Sequence, residues 1–579
     1  MKKLLQFLTS FCTVFGALIL IVIVLMLGVR FMSGGAINIP KHSMLVINFA
    51  DNFSETASGS VIDEILGKKN MSFTTLLKAI EIAQSDNRID GIVARLDISG
   101  LELAQIQDVA RAITRFRQSG KKTVVFSQGF GPFGQGNREY YLASFFEKIY
   151  MQPHTTIGLT GIGIEVPFSR TVLDKIGVTP EYYTRYEYKS AMMSFSDKQM
   201  SAPYRENMTN LLSSIMTELK NDITENRKLS EKLDKIINRA PLSAEEGKRV
   251  NLIDDLMYLP ELEKLLKDEG VKNFVALEDY VTQFQPNEGD LPTIAVLNLS
   301  GVIDTGESSS DIDGEFVLGS QSVTADLGEI EDLDNLKALV VRIDSPGGSY
   351  NAADEIYFAL KNLQQKKKIP IIVSQGGYAA SGGYFISLAG DVIVAEPTTI
   401  TGSIGVLGGK FELAKLWQKL GVRWTDIKFG QNADILSLNK PFSEQERAVF
   451  NQSLDEVYAD FTEKVKENRN LNANIDKIAR GRVWSGRQAL ALGLVDEMGG
   501  FEEALILAQQ RGNIAPQTKI KLVTYPQEKS FSEKIKELIL SGDIRVKEMI
   551  AKSGVDIRYL KLFKRLQYDM VLLPFVLNM

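Results

Sequence analysis

The sequence predicts two tandem copies of one α/β fold behind an N-terminal membrane-spanning helix. Three observations carry this expectation. The chain begins with a long apolar run, it repeats itself in ordered blocks, and each repeat alternates short β-branched runs with stretches of helical spacing.

Met1-Lys2-Lys3 precedes a nearly uncharged run over residues 4–29, closed by Arg30. A helix rises about 1.5 Å per residue and some 20 residues cross a bilayer, so this run is long enough to span. A cleaved signal peptide has a shorter apolar region of about 7–15 residues. The small residues Ser33-Gly34-Gly35-Ala36 still leave a cleavage site open. Lys2 and Lys3 favour a cytoplasmic N-terminus, which puts the bulk of the chain on the periplasmic or outer side.

The repeat is read block by block. Residues 89–130 match 336–377. Arg95 and Asp97 fall on Arg342 and Asp344, and Ser127-Gln128-Gly129 on Ser374-Gln375-Gly376, at an offset of 247 (342 − 95). Residues 140–153 match 384–397, and Gly158, Gly161 and Gly177 match Gly402, Gly405 and Gly421, at 244 (402 − 158). Residues 242–255 match 484–497, at 242 (484 − 242), and the opening runs 45–48 and 295–298 also agree.

Within the second copy, residues 338–343 and 371–373 read as buried strands and 350–365 as a helix. Alternation of strands and helices implies a parallel sheet with right-handed crossovers. The expected organisation is an anchor at 1–32, a first copy at 33–290, a second at 291–515, and a C-terminal helical tail at 516–579. The boundary between the copies is placed in the Pro/Asn/Gly-containing stretch 285–292.

Rare residues exclude several chemistries. The one cysteine, Cys12, lies in the apolar run, so no intrachain disulfide forms and a Cys nucleophile is disfavoured. Two histidines, His42 and His154, are too few for the usual zinc sites, and neither a metal nor a cofactor is expected. A net charge of −6 without a basic, aromatic-laced stripe argues against a nucleic-acid partner.

The chemistry is sought where the copies differ. Asp344-Ser345-Pro346-Gly347-Gly348 follows a strand, and its glycines let backbone N–H groups approach an oxyanion or, equally, a phosphate. The first copy has Ile98-Ser99-Gly100-Leu101 there. In Ala379-Ala380-Ser381-Gly382-Gly383, small neighbours are expected to leave Ser381 open to substrate, with the Gly382 N–H available to an oxyanion. The first copy has Asn137, which is no hydroxyl nucleophile. A serine needs a base. His154 aligns with Thr398, in the copy without the serine, and His42 lies just past the apolar run. Lys189 aligns with Ala433, so the copy with the serine lacks the lysine and the copy with the lysine lacks the serine. Desolvated, a lysine loses enough pKa to accept a proton.

The motifs Tyr186-Glu187-Tyr188-Lys189-Ser190-Ala191, Arg342-Ile343-Asp344-Ser345-Pro346-Gly347-Gly348, Ala379-Ala380-Ser381-Gly382-Gly383-Tyr384 and Thr401-Gly402-Ser403-Ile404-Gly405 occur in that order. Together they resemble the signal peptide peptidase A family in its long, two-copy form, within the Clp-protease/crotonase superfamily. The resemblance covers the chain after the anchor. It implies a serine peptidase with Ser381 as nucleophile and Lys189 as general base. It also implies that Ser403 orients the lysine and that Gly347 and Gly382 donate to the oxyanion. Further implications are a bacterial inner-membrane location, cleaved signal peptides as substrates and a homotetramer. The first copy carries Leu159 where the second has Ser403. Tyr186-Glu187-Tyr188 replaces a more basic lead-in common in the family, which leaves cleavage preference open. A non-catalytic scaffold of the same fold and a crotonase-type acyl-CoA enzyme are the competing readings. Reciprocal Ser and Lys argue against the first, and the anchor argues against the second.

Overall fold

The computed structural model describes residues 38–527, apart from 52, 56–70, 132–133, 285–288, 311–315, 470 and 472–474. The expected anchor lies outside the described residues, as does the tail from 528. Among the described residues no helix is long and apolar enough to cross a membrane.

Each copy contains the expected parallel sheet, and the two sheets share one strand order. In the first copy the order is Asp255–Leu256, Lys148–Met151, Lys122–Ser127, Ile89–Arg95, Ser43–Asn48 and Asn273–Ala276. In the second, Glu497–Met498, Val392–Ala395, Ile371–Ala380, Leu336–Ser345, Thr293–Ser300 and Lys521–Tyr525 occupy the same places. The sequence repeat is therefore a structural repeat. One boundary shifts: Lys521–Tyr525 pairs with Thr293–Ser300 as an edge strand, so the second copy runs past residue 515 and its last strand occupies the start of the expected helical tail.

The strands are largely apolar because both faces of each sheet are covered. Leu339, Val340, Val341 and Ile343 are all fully buried, and the helix Tyr350–Lys367 lies over one face with Ala352, Ile356, Leu360 and Leu363. Residues on the other face of the second sheet, including Val340, Ile372 and Val394, belong to the core cluster that fills the first copy. The copies thus share apolar core.

Two further contacts join them. Thr179–Arg185 of the first copy pairs antiparallel with Val406–Glu412 of the second, in a ribbon running from Thr179 opposite Glu412 to Arg185 opposite Val406. Second, Arg342 is fully buried between Glu55 at 3.0 Å and Asp108 at 2.9 Å, both from the first copy, and donates to Ser374 Oγ at 2.9 Å. Removing one member of a buried ion pair leaves an uncompensated charge. Arg342→Ala is expected to destabilise the protein by about 3–5 kcal/mol, read as a lowered urea midpoint. An unchanged midpoint would mean that the Arg342 ion pairs do not stabilise the fold.

Candidate active site

The strand Ile371–Ala380 runs beyond its neighbour because of a bulge. Ile343 pairs with Gln375 and Ser345 with Ala379, so extra residues of the long strand are accommodated between them. Gly376 and Gly377 fall in this bulge, where a Cβ on Gly376 would lie 3.1 Å from that of Asp344. Asp344 Oδ1 pins the bulge by accepting from the Tyr378 N–H at 2.9 Å. The strand then turns sharply into the short helix Gly382–Ser387. Ser381 sits on the turn at φ 57° and ψ −114°, a sparsely populated conformation for a side-chain-bearing residue. Its N–H donates to Gly402 O at 2.8 Å, which ties the turn to the strand Ile400–Gly402. Strand, strained turn and helix together aim a hydroxyl away from the sheet.

Ser381 is fully buried, not open as its small neighbours imply. Lys189 and Ile303 lie over the turn. Lys189 follows the inter-copy ribbon, and its Nζ lies 2.5 Å from Ser381 Oγ. The same Nζ donates to Ser403 O and to Ser403 Oγ, each at 3.0 Å. Ser403, at φ 53°, is itself on a strained turn. No carboxylate is among these partners, and burial alone holds the Lys189 ammonium well below the usual lysine range. The structure therefore brings Lys189, Ser381 and Ser403 together.

Gly347 and Gly348 form the facing wall. Gly347 is at φ 104°, and a Cβ on it would lie 2.8 Å from Gly382 N and from Ser381 Cβ. The Gly347 N–H donates to Ser345 Oγ at 3.2 Å. The N–H groups of Gly348 and Gly382, which lie side by side, have no hydrogen-bond partner among the described residues. Gly348 was not singled out by sequence reasoning. The signal lay in the doubled glycine itself, of which only the first was assigned. Ile303 brackets this turn, donating to Gly347 O at 3.0 Å and accepting from Ser349 N at 2.8 Å.

The histidines lie elsewhere. His42 Nδ1 faces Asp90 at 3.1 Å and His154 Nδ1 faces Glu245 at 3.6 Å, both on the surface of the first copy. In that copy the place of Ser381 is closed. Asn137 accepts from Gly161 N at 3.0 Å and donates to Gly161 O at 2.8 Å, so both ends of its amide are occupied.

A serine hydroxyl on a strained turn, a buried amine against it and paired amides beside it are the parts that acyl-transfer hydrolysis calls for. Residues 115–272 and 363–515, one stretch in each copy, match peptidase family S49, and residues 317–398 match Clp protease. The chain is 31% identical to "Protease 4" of Haemophilus influenzae over 86% of its own length and 84% of that protein. It is 30% identical to "Serine protease SPPA, chloroplastic" of Arabidopsis thaliana, over 81% of this chain and 70% of that one. An Enterococcus faecium protein with the provisional name signal peptide peptidase SppA is 34% identical over 39% of this chain and 66% of its own length. The chain belongs to peptidase family S49. It is a serine peptidase, and the scaffold and acyl-CoA readings fall away.

Proposed function

We propose that the chain is a membrane-anchored endopeptidase that works through a Ser381–Lys189 dyad and degrades signal peptides left in the membrane after cleavage. The observation that carries the dyad is the 2.5 Å contact between Lys189 Nζ and Ser381 Oγ in a fully buried setting. Neutral Lys189 takes the Ser381 proton as Oγ attacks the peptide carbonyl. The Gly382 N–H and the Gly347–Gly348 turn stabilise the oxyanion. The resulting ammonium protonates the leaving amine. Lys189 then takes a proton from water, which hydrolyses the acyl-enzyme and restores Ser381. Ser403 keeps Nζ on the line to Oγ. The anchor at residues 4–29 would hold this site on the periplasmic face of a bacterial inner membrane. The substrate assignment rests on the family resemblance and on the name of the Enterococcus faecium relative.

Assembly as a homotetramer belongs to the same proposal, and an unused copy of the inter-copy contact supports it. Gly177 packs on Lys415 and Leu416, where a Cβ would meet backbone at 2.8 Å, whereas nothing lies within 4 Å of its counterpart Gly421. The counterpart of the ribbon strand Thr179–Arg185 is 423–429, which lies in no strand and exposes Trp424, Ile427 and Phe429. Beside it a cavity of about 400 Å³ is lined by Trp417, Val422 and Trp424. A second chain repeating the internal contact would fill this surface head to tail, the kind of contact from which closed rings are built when the rotation between copies closes.

A fluorophosphonate probe tests the dyad on the full-length protein in detergent. Labelling is expected at Ser381 and is expected to vanish in Ser381→Ala. Because the folded-state lysine pKa is depressed, Lys189 is neutral above that lowered value and charged below it. The labelling rate should therefore rise with pH and level off well below the ordinary lysine value of about 10.4. A rate still climbing through pH 10 would contradict a desolvated lysine base.

A further inference from the structure

Lys189 belongs to the first copy, but the wall behind it belongs to the second. Residues Arg480, Gly481 and Arg482 run along the back of the lysine segment. Arg480 O accepts from Tyr188 N at 3.3 Å, Gly481 N donates to Ile404 O at 2.7 Å, and Arg482 O accepts from Ser403 N at 2.7 Å. One short strap therefore bonds both the segment that carries the base and the turn that orients it. Gly481, at φ 87°, touches the lysine backbone: a Cβ there would lie 2.4 Å from Lys189 N and 2.6 Å from its Cα.

The two arginines grip the residues that precede the lysine. The Arg480 guanidinium lies over the Tyr186 ring at 4.5 Å and donates to Glu187 Oε2 at 2.8 and 3.0 Å. The Arg482 guanidinium lies over the Tyr188 ring at 3.6 Å, donates to Glu206 Oε1 at 3.0 Å and also bonds the Tyr188 hydroxyl. A planar cation can stack on an aromatic face and hydrogen-bond at its edge at once, which an ammonium cannot.

The repeat gives independent support. At the offset of 242, Arg480-Gly481-Arg482 falls on Asn238-Arg239-Ala240, and at 244 Tyr186-Glu187-Tyr188-Lys189 falls on Gly430-Gln431-Asn432-Ala433. Neither the grip nor the gripped residues occur in the copy positions that lack the chemistry. The gripped residues stand in the copy that carries the lysine, and the strap stands in the copy that carries the serine.

We propose that the Arg480–Gly481–Arg482 strap is the positioning element of the general base, holding Lys189 from the first copy against Ser381 and Ser403 of the second and sealing it from water. This rests on the reading of Lys189 as base. Besides the two arginines, the titratable groups facing the segment are Glu187, Glu206, Asp476 and the tyrosines Tyr186, Tyr188 and Tyr458. Burial is what depresses the lysine pKa, so a loosened strap that admits water must raise it.

The test is the pH profile of peptide hydrolysis by the full-length enzyme. Arg482→Ala is expected to lower kcat by about 10²-fold, the usual consequence of a misplacement near 1 Å, with KM nearly unchanged and the acid limb moved to higher pH. Gly481→Ala should act in the same direction. Arg482→Lys keeps the charge but not the plane, and should also move the acid limb upward, which keeps the test open if Arg482→Ala fails to fold. Arg239→Ala, at the position equivalent to Gly481, should leave the profile unchanged. A wild-type acid limb in Arg482→Lys and Gly481→Ala, or a loss of rate without any shift of the limb, overturns the proposal. If Lys189→Ala itself retains activity, it is the base assignment that fails, and the two failures are distinguishable.

Discussion

Lys189→Ala is expected to reduce kcat for peptide hydrolysis on the order of 10⁴- to 10⁶-fold, the range seen when one member of a catalytic unit is removed. The protein should remain folded. The substitution deletes an amine whose burial disfavours its charged form, and it leaves behind two hydroxyls and no unpaired charge. Thermal unfolding of the variant, measured beside its activity, separates loss of chemistry from loss of structure. His42→Ala and His154→Ala should stay near wild type, since each ring faces a surface carboxylate and neither lies at the serine. Loss of activity in folded His154→Ala, with Lys189→Ala still active, would replace the lysine by a histidine base.

Gly348→Ala should be the most damaging single methyl in the facing wall. At φ 156° the added Cβ would lie 1.9 Å from Ile303 O and 2.7 Å from Ile303 N. Backbone on both sides makes relief impossible without moving the short strand Val302–Asp304, and with it the turn that presents the free N–H. Loss of one oxyanion donor costs about 10²–10³ in kcat, so a fall of that size is expected with substrate binding largely kept. Gly328→Ala is the control, because nothing lies within 4 Å of its Cβ position. A Gly348→Ala enzyme at full rate would remove this turn from the oxyanion site.

Much of this site was legible because duplication turned the chain into its own alignment. Ser381 against Asn137 and Lys189 against Ala433 are differences that one sequence can show, and the parallel sheet of each copy followed from its alternating strands and helices, while the strand order came only with the structure. What stayed hidden depended on packing. The closure of Ser381 comes from Lys189 and Ile303, far away in the chain. Lys521–Tyr525 lies beyond the matched blocks, and its strand character is decided by the free edge of Thr293–Ser300. The grip of Arg480 and Arg482 was within reach just upstream of the matched block at 484–497, but arginines on a loop carry no signal until their aromatic partners are located.

The 192 residues that separate the lysine from the serine along the chain also order its birth. At synthesis rates of about 5–20 residues per second, Ser381 follows Lys189 by roughly 10–40 s, and Gly481 comes later still. On the proposed dyad, the nascent polypeptide during that interval carries a base with no nucleophile to activate. A product released early by a broken message would lack the nucleophile. The order in which the ribosome delivers the two groups would then spare the cell a half-made protease.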